Sequence, residues 1–238
     1  MLVCLDPGHG GNDPGAIGAT GLFEKSVTLS VTLKVGKILT NHGIKVLYTR
    51  TTDVRLGATR NEDLQNRVRI ANNANANYFI SIHTNSATNP SANGTETFTY
   101  KQGTEGDRLA KSIQSNLIKE IKLTDRGVKY SNFMVISATK MPAALTELAF
   151  INNPSEEKLL RDESFLDKCA VGIAKGILQN MGVDYVVKEE KQIDEISEWA
   201  KDARTWVMEK GISDGTNPKG IVTREQLWAM LYRKDGGK

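Results

Sequence analysis

Four side chains scattered along the chain carry most of its chemical capacity: His9, Glu24, His83 and Glu147. His9 stands in a Gly-rich stretch just after a short apolar run, and His83 closes the run YFISIH. Glu24 follows Gly21-Leu22-Phe23 and precedes the first long helical pattern. Two imidazoles and one carboxylate make a three-ligand set of the kind catalytic zinc uses, with a fourth position left for water. The mixed nitrogen and oxygen donors suit zinc, and the lack of cysteine among them argues against a closed structural site. Each residue also has a plainer reading. A histidine at a strand end can cap a loop, and a glutamate opening a helix gains under ~1 kcal/mol from the helix dipole. The ligands are far apart and no compact HExxH signature joins them, so spacing alone leaves both readings open.

Metal-assisted hydrolysis also needs a group to take a proton from water and pass it to the leaving nitrogen. Glu147, in PAALTELAF, is the only charged residue in residues 142–151. Burial there would raise its pKa. A solvent-facing strand position between Thr146 and Leu148 is the alternative. Asn85, two residues past His83, could contact substrate or cap a loop. His42 precedes Gly43 at a helix stop, where an imidazole meets the last carbonyls and the dipole. The glycines of residues 8–15 lack the Lys-Ser/Thr pair of a nucleotide P-loop, which excludes that reading.

The elements that must position these residues follow from periodicity. Residues 2–5 read as a buried strand ended by Asp6-Pro7-Gly8, and residues 44–48, 78–82, 95–100, 133–136 and 143–150 as further strands. Helices are predicted over residues 25–41, 61–76 and 105–122, with another stretch opened by Pro154-Ser155 and carrying Phe165, Leu166, Cys169, Ile173 and Ile177. Strands alternating with amphipathic helices indicate an α/β sheet covered on both faces, with chemistry gathered at strand ends. The composition shifts after Met181-Gly182. The expected organisation is a catalytic domain over residues 1–181, a charged linker over 182–192 and a small helical unit over 193–238. In that unit a helix over residues 193–210 carries Ile196, Trp199, Ala203 and Trp206 on one stripe, and Thr223 with Gln226 forms a capping box.

The chain has 238 residues, 39% hydrophobic and 25% charged, which is ordinary for a globular protein. A net charge of +3 does not signal nucleic acid. Residues 184–238 carry net −1 and residues 1–183 net +4, so the positive excess lies on the N-terminal part, which suits a polyanionic partner but is also small enough to arise by chance. No apolar run approaches the ~20 residues of a membrane span. MLVCLDPGHGG shows no secretory signal, so the expectation is synthesis in the cytoplasm. Cys4 and Cys169, in LVCLD and LDKCAVGI, read as buried thiols.

The blocks DPGHGG with a downstream Glu, then TR…R…AN…YFISIHTN, then ALTELAFINNPSE, occur in order over residues 1–181. Together they resemble the zinc-dependent N-acetylmuramoyl-L-alanine amidases, a family of cell-separation amidases and phage endolysins. The resemblance implies an α/β domain with a mixed, roughly six-stranded sheet, and one catalytic zinc bound by His9, Glu24 and His83. It makes Glu147 the catalytic glutamate. The implied substrate is peptidoglycan, cut between the lactyl group of N-acetylmuramic acid and L-alanine. A phage or prophage endolysin is the preferred origin, with a sporulation or cell-separation autolysin, or a zinc peptidase acting within the stem peptide, as alternatives. The segment WAKDARTWVMEKGISDGTNPKGIVTREQLWAMLYR resembles a single S-layer-homology repeat. It implies binding to a secondary wall polymer, with Arg224 as a possible contact, or homodimerisation through this unit, since a unit this small has difficulty building a core alone.

Overall fold

The computed structural model describes residues 1–186, 198–213 and 224–234. The chain divides into two compact units, Met1–Val186 and Val187–Lys238. The first contains β1 (Leu2–Pro7), α1 (Glu24–Asn41), β2 (Lys45–Tyr48), α2 (Arg60–Asn73), β3 (Tyr78–Asn85), β4 (Thr95–Thr99) and α3 (Glu105–Ile121). It continues with β5 (Asp125–Tyr130), α4 (Met134–Ser137), β6 (Ala143–Phe150), α5 (Pro154–Leu160) and α6 (Glu163–Asn180). The strands form one six-stranded sheet in the order β2-β1-β3-β6-β4-β5. All neighbours run parallel except β4 against β6, so the sheet is mixed as expected.

Strand alternation sorts side chains onto the two faces. Val3 and Leu5 of β1, Ile80 and Ile82 of β3 and Leu148 of β6 join one core with α1, α3 and α6. Val27, Val31, Val35 and Leu39 supply the stripe of α1, and Leu109, Ile113, Leu117 and Ile121 that of α3. Each such side chain contributes roughly 1.5–3 kcal/mol when buried. Helices α3 and α6 approach closely because α6 has glycine at the contact. A Cβ on Gly176 would stand 2.4 Å from the Cα of Ile113, and one on Gly172 2.7 Å from the Cα of Leu117. The other face is more thinly covered. There α2 and α4 supply Ala71, Val135 and Ile136, which pack with Cys4, Phe79, Ala143 and Leu145. The C-terminal ends of β3 and β6 carry the candidate site. Both cysteines are buried free thiols.

The structure corrects several expected elements. Residues 133–136 do not form a strand: Phe133 caps the short helix α4, a four-residue turn whose buried Val135 and Ile136 gave a strand-like apolar run. Strand β5 went unread because DRGVKY offers only Val128 as an apolar residue, and it lies at the sheet edge. The helical stretch after Pro154 is two helices, broken where Asp162 caps the second. Helix α2 begins at Arg60 with a capping box in which Thr59 and Glu62 satisfy each other's backbone amides. β3 extends through His83 to Asn85, so His83 lies within the strand.

In the second unit a 3-10 turn at Glu198–Ala200 leads into α7 (Lys201–Glu209), and α8 spans Arg224–Lys234. No residue of α7 is buried, and Trp199 in the turn before it is exposed, so the stripe of Trp199, Ala203 and Trp206 is not covered. The expected helix start at residues 193–197, Ile196 included, and Thr223 of the capping box lie outside the described residues, as do linker residues 187–192. No helix among the described residues is long and apolar enough to cross a membrane.

Candidate metal centre and active site

The centre begins where β1 runs out. Gly8 donates its amide to Ile82 O at 3.0 Å, which ties the turn to the neighbouring strand. The His83 ring lies against Gly8 so closely that a Cβ there would meet its Cε1 at 2.2 Å. His9 then adopts a left-handed backbone (φ 62°), uncommon for a residue with a side chain. Two arginines hold the turn by its carbonyls. Arg67 donates to Pro7 O and His9 O, both at 2.7 Å. Arg50 donates to Pro7 O at 3.1 Å and to Gly8 O at 2.8 Å. Arg67 is almost fully buried and pairs with Asp6 at 2.8 Å and Asp63 at 2.7 Å. Burial pushes the Asp6 carboxyl up, but the Arg67 charge and hydrogen bonds from Thr49, Ser81 and Arg67 outweigh it and hold it below its usual range.

This frame brings three of the expected residues together. One donor atom from each of His9, Glu24 and His83 lies within 4.8 Å of the others. His9 Nε2 is 3.1 Å from Glu24 Oε2, and His83 Nδ1 is 2.9 Å from Glu24 Oε1. The two rings meet edge to face with centroids 5.0 Å apart. Glu24 is the first residue of α1, and its oxygens also accept Ala16 N at 2.8 Å and Thr84 N at 2.9 Å. Burial raises its carboxyl, yet the two histidines outweigh this and keep it well below the carboxylate range. His9 Nδ1 lies 2.9 Å from Asp13 Oδ2. With Nδ1–H donated to Asp13, His9 Nε2 keeps its lone pair directed at the centre, the carboxylate–histidine arrangement common behind metal ligands.

The donor set fits a zinc ion. Metal–ligand bonds of ~2.0–2.2 Å in tetrahedral array put donors about 3.3–3.6 Å apart, and one atom from each of the three residues already lies within 4.8 Å of the others. The donors are two imidazole nitrogens and a carboxylate oxygen, with no thiolate to close the site.

Glu147 stands one strand over. Its Cα is paired with His83 on β3 and with Glu96 on β4, so the three residues form a row across the sheet. Its Oε2 is shielded from solvent and has no hydrogen-bond partner among the described residues. Burial, then the charges of Glu24 and Glu96, push its carboxyl well above the usual range. An orphaned buried carboxylate oxygen is costly in a folded protein and calls for an explanation. Asn85 donates Nδ2 to Glu96 Oε1 at 2.7 Å, while its Oδ1 accepts Ser86 N at 2.8 Å. It therefore both caps its loop and touches the row. Arg224 opens α8, and its side chain lies outside the described residues. His42 Nδ1 donates to Ile38 O at 2.7 Å and the ring stacks on Tyr185, a helix-end role.

Sequence reasoning passed over Asp13, Glu96 and the Asp6–Arg50–Arg67 network. Asp13 stands four residues after His9 in the same loop, a spacing that could have marked it. Arg50 and Arg67 lie in the blocks that carried the family resemblance, where they had no assigned part.

Known proteins share this arrangement of chain. The family model described as N-acetylmuramoyl-L-alanine amidase matches residues 3–179. The germination-specific N-acetylmuramoyl-L-alanine amidase of Bacillus subtilis (strain 168) is 39% identical over 188 residues, covering 75% of this chain and 78% of that protein. The endolysin of Bacillus phage SPP1 is 39% identical over 185 residues, covering 75% of this chain and 65% of that protein. The solved catalytic domain of CwlV, N-acetylmuramoyl-L-alanine amidase from Bacillus (Paenibacillus) polymyxa var. colistinus, matches with TM-score 0.72 and 38% identity over 77% of this chain and 99% of that one. With the matched span enclosing all four site residues and most of the chain, this protein belongs to the N-acetylmuramoyl-L-alanine amidase family.

Proposed function

We propose that the protein is a zinc-dependent peptidoglycan amidase that hydrolyses the bond between the lactyl carbonyl of N-acetylmuramic acid and L-alanine of the stem peptide. His9, Glu24 and His83 would hold the ion, and Glu147 is the acid/base. When bound, zinc supplies Lewis acidity toward a carbonyl and a nucleophilic water at neutral pH. Asp13 keeps His9 in the tautomer whose Nε2 can ligate. Glu147 Oε2, with no partner of its own, takes the proton of the attacking water and delivers it to the departing alanine nitrogen. Its buried surroundings favour holding that proton between the two transfers. The observation that carries the reading is the pairing of a three-donor cluster with an unpartnered carboxylate one strand away.

Mass spectrometry of fragments released from purified peptidoglycan tests it. Free stem peptides beginning with alanine are expected, and release should stop on chelation and return with zinc. Fragments cut inside the stem peptide would replace the amidase by a peptidase. Release that continues after exhaustive metal removal would reject zinc chemistry.

The C-terminal stretch, residues 193–238, is proposed to bind wall polymer. Support comes from its S-layer-homology-like sequence and from the exposed Trp199, Trp206 and Trp228. Deleting it should weaken sedimentation with wall fragments while leaving cleavage of soluble muropeptides. Conversion of a dimer to a monomer instead would assign it to self-association.

A further inference from the structure

Beyond Glu147, the row across the sheet ends in a fixed cation. The carboxylate of Glu96 is buried and held on both oxygens, by Asn85 Nδ2 at 2.7 Å and by Arg126 Nε at 2.9 Å. Arg126 is the second residue of β5, and its Nη1 also donates to Asn93 O at 3.3 Å. Its guanidinium carbon lies 4.9 Å from the centre of the Phe150 ring. Phe150 is the β6 partner of Asn85, just past the His83–Glu147 pair. The guanidinium is therefore pinned by an anion, a carbonyl and an aromatic face beside the acid/base. Yet its side chain remains 38% exposed, and Nη2 donates to no other described residue. A planar fork oriented in this way is prepared for a second, planar anion.

We propose that Arg126 binds a free carboxylate of the stem peptide, the one on the residue that follows L-alanine. This rests on the amidase reading given above. In peptidoglycan that second residue is joined onward through its side-chain carboxyl, which leaves its α-carboxylate free. An extended chain advances ~3.3–3.6 Å per residue, so this group lies within about 7 Å of the scissile nitrogen. Strands are spaced ~4.8 Å apart, and Arg126 reaches back to Glu96, the β4 neighbour of Glu147. The carboxylate lies one residue past the scissile bond, and the guanidinium sits against the carboxylate one strand past Glu147. Arg126 thus orients the leaving peptide rather than the glycan.

The test uses the zinc-loaded full chain and three soluble muropeptides. One has both the second-residue α-carboxylate and the C-terminal carboxylate free, one has only the former amidated, and one only the latter. Wild-type kcat/KM should fall about 10–100-fold when the second-residue carboxylate is amidated, chiefly through KM. It should be indifferent to C-terminal amidation. Arg126→Gln should erase that preference, and Arg126→Lys should restore part of it as a point charge. Equal wild-type kcat/KM on the free and amidated forms would overturn the proposal without needing any variant. So would a preference that follows the C-terminal carboxylate, or an Arg126→Gln loss of the same factor on all three substrates, which would mark a role in holding Glu96 alone. Wild-type protein that releases no alanine-terminated peptide from any of them would overturn the amidase reading and this subsite with it.

Discussion

The two halves of the site are built in opposite ways. On the β1 side two of the three proposed ligands are tied down, His9 by Asp13 and Glu24 by two backbone amides, and Arg50 and Arg67 hold the turn itself. On the β6 side Glu147 keeps an oxygen with no partner, although Glu96 beside it is held on both. The difference teaches where each half spends its stability. A metal site gains from ligands held in place before the ion arrives. A proton carrier must exchange its partner during the reaction, so saturating it with fixed hydrogen bonds would hold it in one protonation state.

If that contrast holds, substitutions on the two sides should fail differently. The largest effect is expected from His83→Ala, which should remove bound zinc and activity together, as read by metal analysis and peptide release. Glu147→Gln should lower turnover by roughly 10²–10⁴ while zinc content stays at the wild-type level. Parallel loss of metal in that variant would erase the distinction between the halves. Arg67→Met strips the partner from Asp6 and Asp63 and should cost about 3–5 kcal/mol in denaturant unfolding. Asp13→Asn should weaken zinc binding by about 10–100-fold, measured by chelator competition, with little change in melting of the metal-free protein.

The smallest effect concerns pH. Asp6 has a folded-state pKa below its unfolded value, so its stabilisation is fully present above the unfolded pKa of ~3.9 and disappears as pH falls through the folded one. The stability gap between wild type and Asp6→Asn should therefore be constant near neutrality and narrow below about pH 4. A gap that widens on acidification would mean that Arg67 does not hold Asp6 ionised.

The elements that position the site were legible where one face of a helix or strand is apolar. The stripes of α1 and α3 and the runs of β3 and β6 declared themselves, because burial against the sheet demands that pattern. Strand β5 has no such stripe, and α4 is too short to show a helical period. Arg126, which β5 carries, was therefore invisible too. His9, Glu24, His83 and Glu147 could be named from residue type and family resemblance. Their convergence could not, because it depends on the parallel register of β1, β3 and β6. Asp6, Arg50 and Arg67 were hidden for a related reason: a buried ionic network looks in sequence like ordinary surface charge, and only the fold shows that it lies inside.

Anomalous diffraction from crystals of the zinc-loaded protein tests the centre most directly. The expected map has one peak bonded to His9, Glu24 and His83, with the Glu147 carboxylate near it but outside its ligand set. A peak elsewhere, or one that takes Glu147 as a ligand in place of any of the three, would contradict the division of labour between the two halves.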